Sequence, residues 1–271
     1  MRTVFVNLDR AGERRAFMEG QGARLGLALE RVRAVETGDI SADVDARLNG
    51  RWERPLSGPE LGCFLSHHGI WAEVARGDGP VLVLEDDAVL SRRTGEALRR
   101  LAAFEDADFL NLESFDRRRF AARRAVDLGG GIAVRRVYRD KSGSAGYLLW
   151  PAGARKLLER TERRGAAPVD AFLHGCAALV SWQAEPALVM QAHILEARGG
   201  RAGVDPATSI QALRVRAGLT RETLPFRLRR LRTQLGLVRY HLMRLGPARY
   251  GRTPVVDEDF AAEPPSAQRR S

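Results

Sequence analysis

The run Val81-Leu82-Val83-Leu84, passing without a break into Glu85-Asp86-Asp87, constrains this chain more than any other stretch. Four consecutive apolar residues read as a strand buried on both faces, the pattern of an interior strand in a parallel α/β sheet. Such a strand delivers its last residues to the carboxyl edge of the sheet, where open α/β folds bind ligands. Three adjacent acids there repel one another and lose hydration, at a cost that a cation or strong donors must offset. A hard divalent metal that also grips a diphosphate offers that compensation. The competing reading is a solvated acidic turn after a core strand.

The rest of the pattern alternates strand with helix. Residues 3–7 read as a first strand, 13–20 and 23–30 as helices, and 31–35 as a second strand. Residues 37–59 are turn-rich, with Asn49-Gly50 and Ser57-Gly58-Pro59. A helix is expected over 60–75, where Leu61, Phe64, Leu65, His68, Trp71 and Ala72 share one 3.6-residue face. Further helices are expected over 93–104, over 151–160 and from 168, and further strands over 108–113 and 187–191. This alternation predicts an α/β fold, a mostly parallel Rossmann-like sheet flanked by helices. The glycine runs Gly129-Gly130-Gly131 and Ser142-Gly143-Ser144 have neither P-loop nor dinucleotide spacing.

Charge is distinctive. Of 44 basic residues only Lys141 and Lys156 are lysine, and the net charge is +10. So strong an arginine bias partly reflects coding composition, yet it favours anionic partners such as nucleotide diphosphates or acidic lipid. Nucleic acid is not expected, because no recognition motif accompanies the charge. Cys63 and Cys176 form neither a disulfide framework nor a clustered zinc pattern. No signal-peptide core and no window of membrane-spanning length is found, so a cytoplasmic protein is expected.

Several segments together resemble glycosyltransferase family 25, which includes lipopolysaccharide and collagen galactosyltransferases. They are Phe5-Val6-Asn7-Leu8-Asp9-Arg10 with Arg14-Arg15, then Gly58-Pro59-Glu60-Leu61-Gly62-Cys63-Phe64-Leu65-Ser66-His67, then Val83 to Asp87. Gly146-Tyr147, a helix holding Gly153-Ala154, and Pro168-Val169-Asp170 before Phe172-Leu173 continue the family's order. The resemblance implies a GT-A-like fold and inverting transfer of a hexose, most of all from UDP-galactose, to a lipopolysaccharide or other surface-glycan acceptor. It implies Mn²⁺ or Mg²⁺ as cofactor, with Glu85, Asp87 and a late histidine, His193, as ligands. Glu85 stands where the family's Asp-x-Asp motif begins. For the nucleotide sugar it implies Asn7, Leu8, Arg10, Arg14, Glu85, Asp86 and Gly146.

Inverting displacement also needs a base on the face opposite the leaving group. Asp170, Glu113 and Asp86 are carboxylates at element ends. Asp170 is favoured, because it holds the place of the family's Pro-x-Asp motif; a helix N-cap is the competing role. Glu113 could equally serve a salt bridge to one of the five arginines between positions 117 and 124. Ser66, adjacent to His67, points about 100° away from it on a helix, so the two form no nucleophilic relay.

The domain is expected over residues 1–205, with 206–271 a basic helical extension ending in a disordered tail. Leu228, Leu231, Leu235, Val238, Leu242 and Leu245 recur at alternating spacings of three and four, a narrow apolar seam set among arginines. Such a seam fits an anionic membrane surface at the inner face of the cytoplasmic membrane, a partner helix in a homodimer, or the domain itself. The alternative to a transferase is a catalytically silent binder of anionic glycan or lipid on the same fold.

Overall fold

The computed structural model describes residues 1–141, 143–205 and 224–261. Ser142, the segment 206–223 and the expected disordered tail from 262 onward lie outside the described residues.

The chain opens with β1 (Thr3–Asn7), α1 (Gly12–Leu25) and β2 (Leu29–Arg33). The two helices expected between residues 13 and 30 are one, and the second strand begins two residues early. Gly26 ends α1 in the left-handed conformation with φ 65°, and the chain turns directly into β2. The turn-rich stretch holds a short helix, α2 (Ala42–Leu48), capped by the Ser41 side chain. Next come α3 (Gly58–Val74), β3 (Val81–Glu85), β4 (Ala88–Leu90), α4 (Thr94–Ala102) and β5 (Phe109–Asn111). An antiparallel group follows: β6 (Arg119–Ala122), β7 (Val126–Asp127) and β8 (Ala133–Arg139). Then come β9 (Gly146–Leu149), α5 (Pro151–Arg164), α6 (Val169–His174), β10 (Ser181–Glu185), β11 (Val189–Gln191) and α7 (Ala192–Ala197). The described chain ends with α8 (Leu224–Gly236), α9 (Val238–Met243) and β12 (Ala248–Gly251).

One large sheet has the order β12-β6-β8-β10-β5-β9-β3-β1-β2, with β7 beside β8. Strands β2, β1 and β3 are parallel, as the apolar runs predict. β9 enters antiparallel between β3 and β5, and the half from β8 to β12 is antiparallel. The whole is an α/β sheet flanked by helices, compatible with a Rossmann-like, GT-A-type fold.

Period-two alternation divides the core into two layers. Val4, Val6, Val81, Val83, Tyr147 and Leu149 face one side, where α3, α5 and α6 pack. Phe5, Leu82, Leu84, Leu110 and Leu148 face the other, against Met18 of α1 and Ala97, Leu98 and Leu101 of α4. The Val81–Leu84 run is apolar throughout because both faces of β3 are covered.

The segment after residue 205 does not stay apart from the sheet. Its β12 pairs with β6 at the sheet edge, and Phe260 packs with Val89 and Met190. The leucine seam spans two helices, broken where Leu237 and Tyr240 turn onto Phe120. The seam residues themselves face outward.

Candidate active site

The acidic turn sits at the carboxyl end of β3, beside the carboxyl end of β1. Asn7, the last residue of β1, donates to Asp86 Oδ2 at 2.8 Å, and Arg14 of α1 donates to its Oδ1 at 2.9 Å. Both Asp86 oxygens are therefore held by protein, which fixes the turn and leaves its neighbours as the available donors. Glu85 accepts from the Ser144 hydroxyl at 2.5 Å. Asp87 is buried, and its Oδ1 has no hydrogen-bond partner among the described residues. Burial, then the Asp87 charge, pushes the Glu85 carboxyl well above its usual range; burial does the same to Asp87, against the pull of Arg14. Two desolvated carboxylates with a free buried oxygen form a hard-donor set suited to Mn²⁺ or Mg²⁺.

Beneath them lies Glu113, fully buried beyond the end of β5. Its Oε2 accepts the Ala145 N–H at 2.8 Å, and no arginine pairs with it among the described residues. Burial, then the Glu85 charge, raises its carboxyl well above the usual range. The salt-bridge reading of Glu113 is not met: of the nearby arginines, Arg119 bonds Asp140 at 3.0 Å instead.

Helix α3 supplies a second wall. Gly62 lets it approach the chain leaving β2: a Cβ there would lie 2.4 Å from the Val35 carbonyl oxygen. Ser66 anchors the contact by accepting the Val35 N–H at 2.8 Å. Its buried face carries Leu61, Phe64, His67 and Trp71, so His67, rather than His68, occupies the apolar side. The Trp71 indole N–H can only donate, and it lies 3.0 Å from the Tyr147 hydroxyl oxygen. The Tyr147 hydroxyl also lies 2.8 Å from His67 Nδ1. Burial lowers the His67 pKa to about 4, so the ring is neutral. Its Nε2 faces Glu85 Oε1 at 3.7 Å. Cys63, His67 and Glu85 bring ligand atoms within 4.8 Å of one another. A thiol pushed up by burial makes a poor metal donor, so this trio reads as support for Glu85.

Asp170 is the second residue of α6, half-buried, with its Oδ1 accepting the following N–H of Ala171 at 2.6 Å. It is not the N-cap; Pro168 is, without a side-chain bond. The Asp170 charge adds to the raising of both Glu85 and Cys63, after burial. His193 follows β11, and the neighbouring Ala192 N–H binds the Asp87 carbonyl at 3.0 Å. Its ring meets Phe115, its Nδ1 is buried without a partner, and its nitrogens do not join Glu85 and Asp87 in one compact ligand group.

Of the other expected donor-site residues, Leu8 packs on the core and Arg10 is exposed, paired with Glu36. Gly146 begins β9, where a Cβ would lie 2.6 Å from Val189 Cγ2, so packing already demands a glycine. Sequence reasoning missed Ser144 and Tyr147 as neighbours of Glu85. The only signal was the i, i+4, i+8 spacing of Cys63, His67 and Trp71 on one helix face.

The sequence model described as "Glycosyltransferase family 25 (LPS biosynthesis protein)" matches residues 1–173. The chain is similar to a glycosyltransferase 25 family member of Anopheles gambiae, 32% identical over 62% of the chain and 30% of that protein. One from Aedes aegypti is 31% identical over 69% of the chain and 35% of that protein. The inactive glycosyltransferase 25 family member 3 of Homo sapiens is 38% identical over 44% of the chain and 20% of that protein. The chain thus spans about a third or less of the length of these relatives. With the family's match covering more than half of the chain, and the acidic turn, α3 and α6 gathered at one centre, the protein belongs to glycosyltransferase family 25.

Proposed function

We propose that the protein is an inverting, metal-dependent hexosyltransferase that moves galactose from UDP-galactose to a hydroxyl of a surface glycan such as lipopolysaccharide. The observation that carries this reading is the turn Glu85-Asp86-Asp87. Asn7 and Arg14 lock its middle acid, while Asp87 keeps a buried oxygen without a partner. Glu85 and Asp87 would hold Mn²⁺ or Mg²⁺, with His193 as a third ligand after a ring rotation. When bound there, the cation supplies Lewis-acid compensation for the charge developing on the departing diphosphate.

Asp170 takes the acceptor hydroxyl's proton. The freed oxygen attacks the anomeric carbon from the face opposite the phosphate, and the carbon–oxygen bond to UDP breaks with its electron pair on UDP. The presence of acids at positions 85–87 and 170 favours this over a catalytically silent binder, although four similar mammalian relatives are named inactive or probable inactive. No helix among the described residues is long and apolar enough to cross a membrane. The outward-facing leucine seam and its arginines favour peripheral attachment to an anionic membrane, near a lipid-linked acceptor.

Hydrolysis of a panel of nucleotide sugars with Mn²⁺, followed by product release under Asp170→Asn, tests the proposal. Turnover of UDP-galactose above the others supports it, and no turnover of any donor overturns it.

A further inference from the structure

On the far side of α6 from the acidic centre lies a cavity of about 840 Å³, with Ala171, Phe172 and His174 in one wall. Asp170 precedes Ala171 on that helix, and His174 Nε2 lies 2.8 Å from the Gly143 carbonyl, which borders Glu113. Helix α6 thus contributes to the cavity wall and carries Asp170.

Its remaining walls are cationic. Arg51, Arg139, Lys141, Arg160 and Arg164 line it from the domain, and Arg229, Arg232 and Arg239 from α8 and α9. Only Glu53 and Asp140 oppose them, and Asp140 is engaged by Arg119. Among the described residues none of these eight cations forms a salt bridge. Arg139 and Arg229 donate to backbone carbonyls, and Arg160 lies over the Phe172 ring with its Nε buried and without a partner. Other arginines, among them Arg2, Arg33, Arg135 and Arg198, do meet acids. Burial lowers the pKa of Arg139 and Arg160, outweighing the nearby Asp140 and Glu53 for Arg139 and Cys176 for Arg160.

Partly desolvated guanidinium groups converging on one space are stabilised by a multivalent anion, and phosphate matches their forked donors. A volume of this size takes a few sugar rings. We propose that the cavity is the acceptor subsite for a phosphate-bearing glycan, whose phosphate groups pair with these arginines while a sugar hydroxyl reaches around α6 to Asp170. This deepens the transferase reading and rests on it for the role of Asp170. The acceptor it selects is an oligosaccharide already phosphorylated by an earlier kinase-type reaction.

The test is calorimetry of the full chain with a monophosphorylated pentasaccharide and with the same pentasaccharide after phosphatase treatment. Arg164→Glu with Arg232→Glu alters two exposed side chains and spares the core. The phosphorylated form is expected to bind about tenfold or more tighter, and the double variant to lose that advantage. Mn²⁺-dependent UDP binding should be unchanged in the variant. Equal binding of both glycans, or an unaltered advantage in the variant, overturns the subsite. So does a variant released from anionic vesicles when no soluble phosphoglycan binds the wild type, since the cavity would then be a lipid contact. Loss of UDP binding by the wild type would instead overturn the transferase reading and leave the glycan result standing.

Discussion

Tyr147 holds together three groups that are each unremarkable alone. Its hydroxyl accepts the Trp71 N–H and hydrogen-bonds to His67 Nδ1, which holds the other ring nitrogen facing Glu85. Tyr147→Phe should leave a buried indole donor and a buried imidazole nitrogen unpaired, a loss of about 1–3 kcal/mol of stability. Urea denaturation measures it; an unchanged midpoint would mean the chain of hydrogen bonds does not hold the site. At Asp170, substitution by Asn keeps size and the bond to Ala171 but removes the base. Turnover should fall on the order of a hundredfold while UDP affinity stays level, and unaltered turnover would leave Asp170 a structural residue of α6. The sequence made Glu85, Asp86, Asp87 and Asp170 legible because acids at strand and helix ends stand out against apolar runs. Ser144 and Tyr147 were hidden, since β9 reaches Glu85 only through an antiparallel insertion that local periodicity does not encode.

Among the elements, β9 shows how tightly the centre is packed. Gly146→Ala would drive a methyl into Val189, and overpacking of this kind costs about 1–3 kcal/mol, readable as a lower denaturation midpoint. Wild-type stability would show that β11 can shift without cost. Helix α3 was foreseen nearly to its ends from the apolar period, and the Ser57–Glu60 capping box sets its start two residues earlier. Its buried face was placed one residue off, because Ser66 and Gly62 pack against polar backbone at Val35 and pull His67 inward. Helices α8 and α9 leave Leu231 and Leu235 exposed at 55% and 64%. If this seam meets membrane, Leu231→Ser with Leu235→Ser should release the protein from anionic vesicles, assayed by sedimentation, with UDP binding preserved. Undiminished vesicle binding would assign the seam to another partner.

For the molecule as a whole, the parallel half of the sheet follows from the sequence, because strands buried on both faces announce themselves as unbroken apolar runs. The antiparallel half does not: arginines interrupt β6, β8 and β12, and β12 pairs with β6 across more than a hundred positions. The long-range return of the chain through β12 thus joins the basic extension to the same sheet that presents the acidic turn. The acids lie at the carboxyl end of β3, and α6, which carries Asp170, also lines the arginine-rich cavity. The most direct test is calorimetry with UDP, with and without Mn²⁺, on the wild type and on Asp87→Asn. Metal-dependent UDP binding by the wild type, lost in the folded variant, is the predicted result; UDP binding indifferent to both Mn²⁺ and Asp87 would contradict the account.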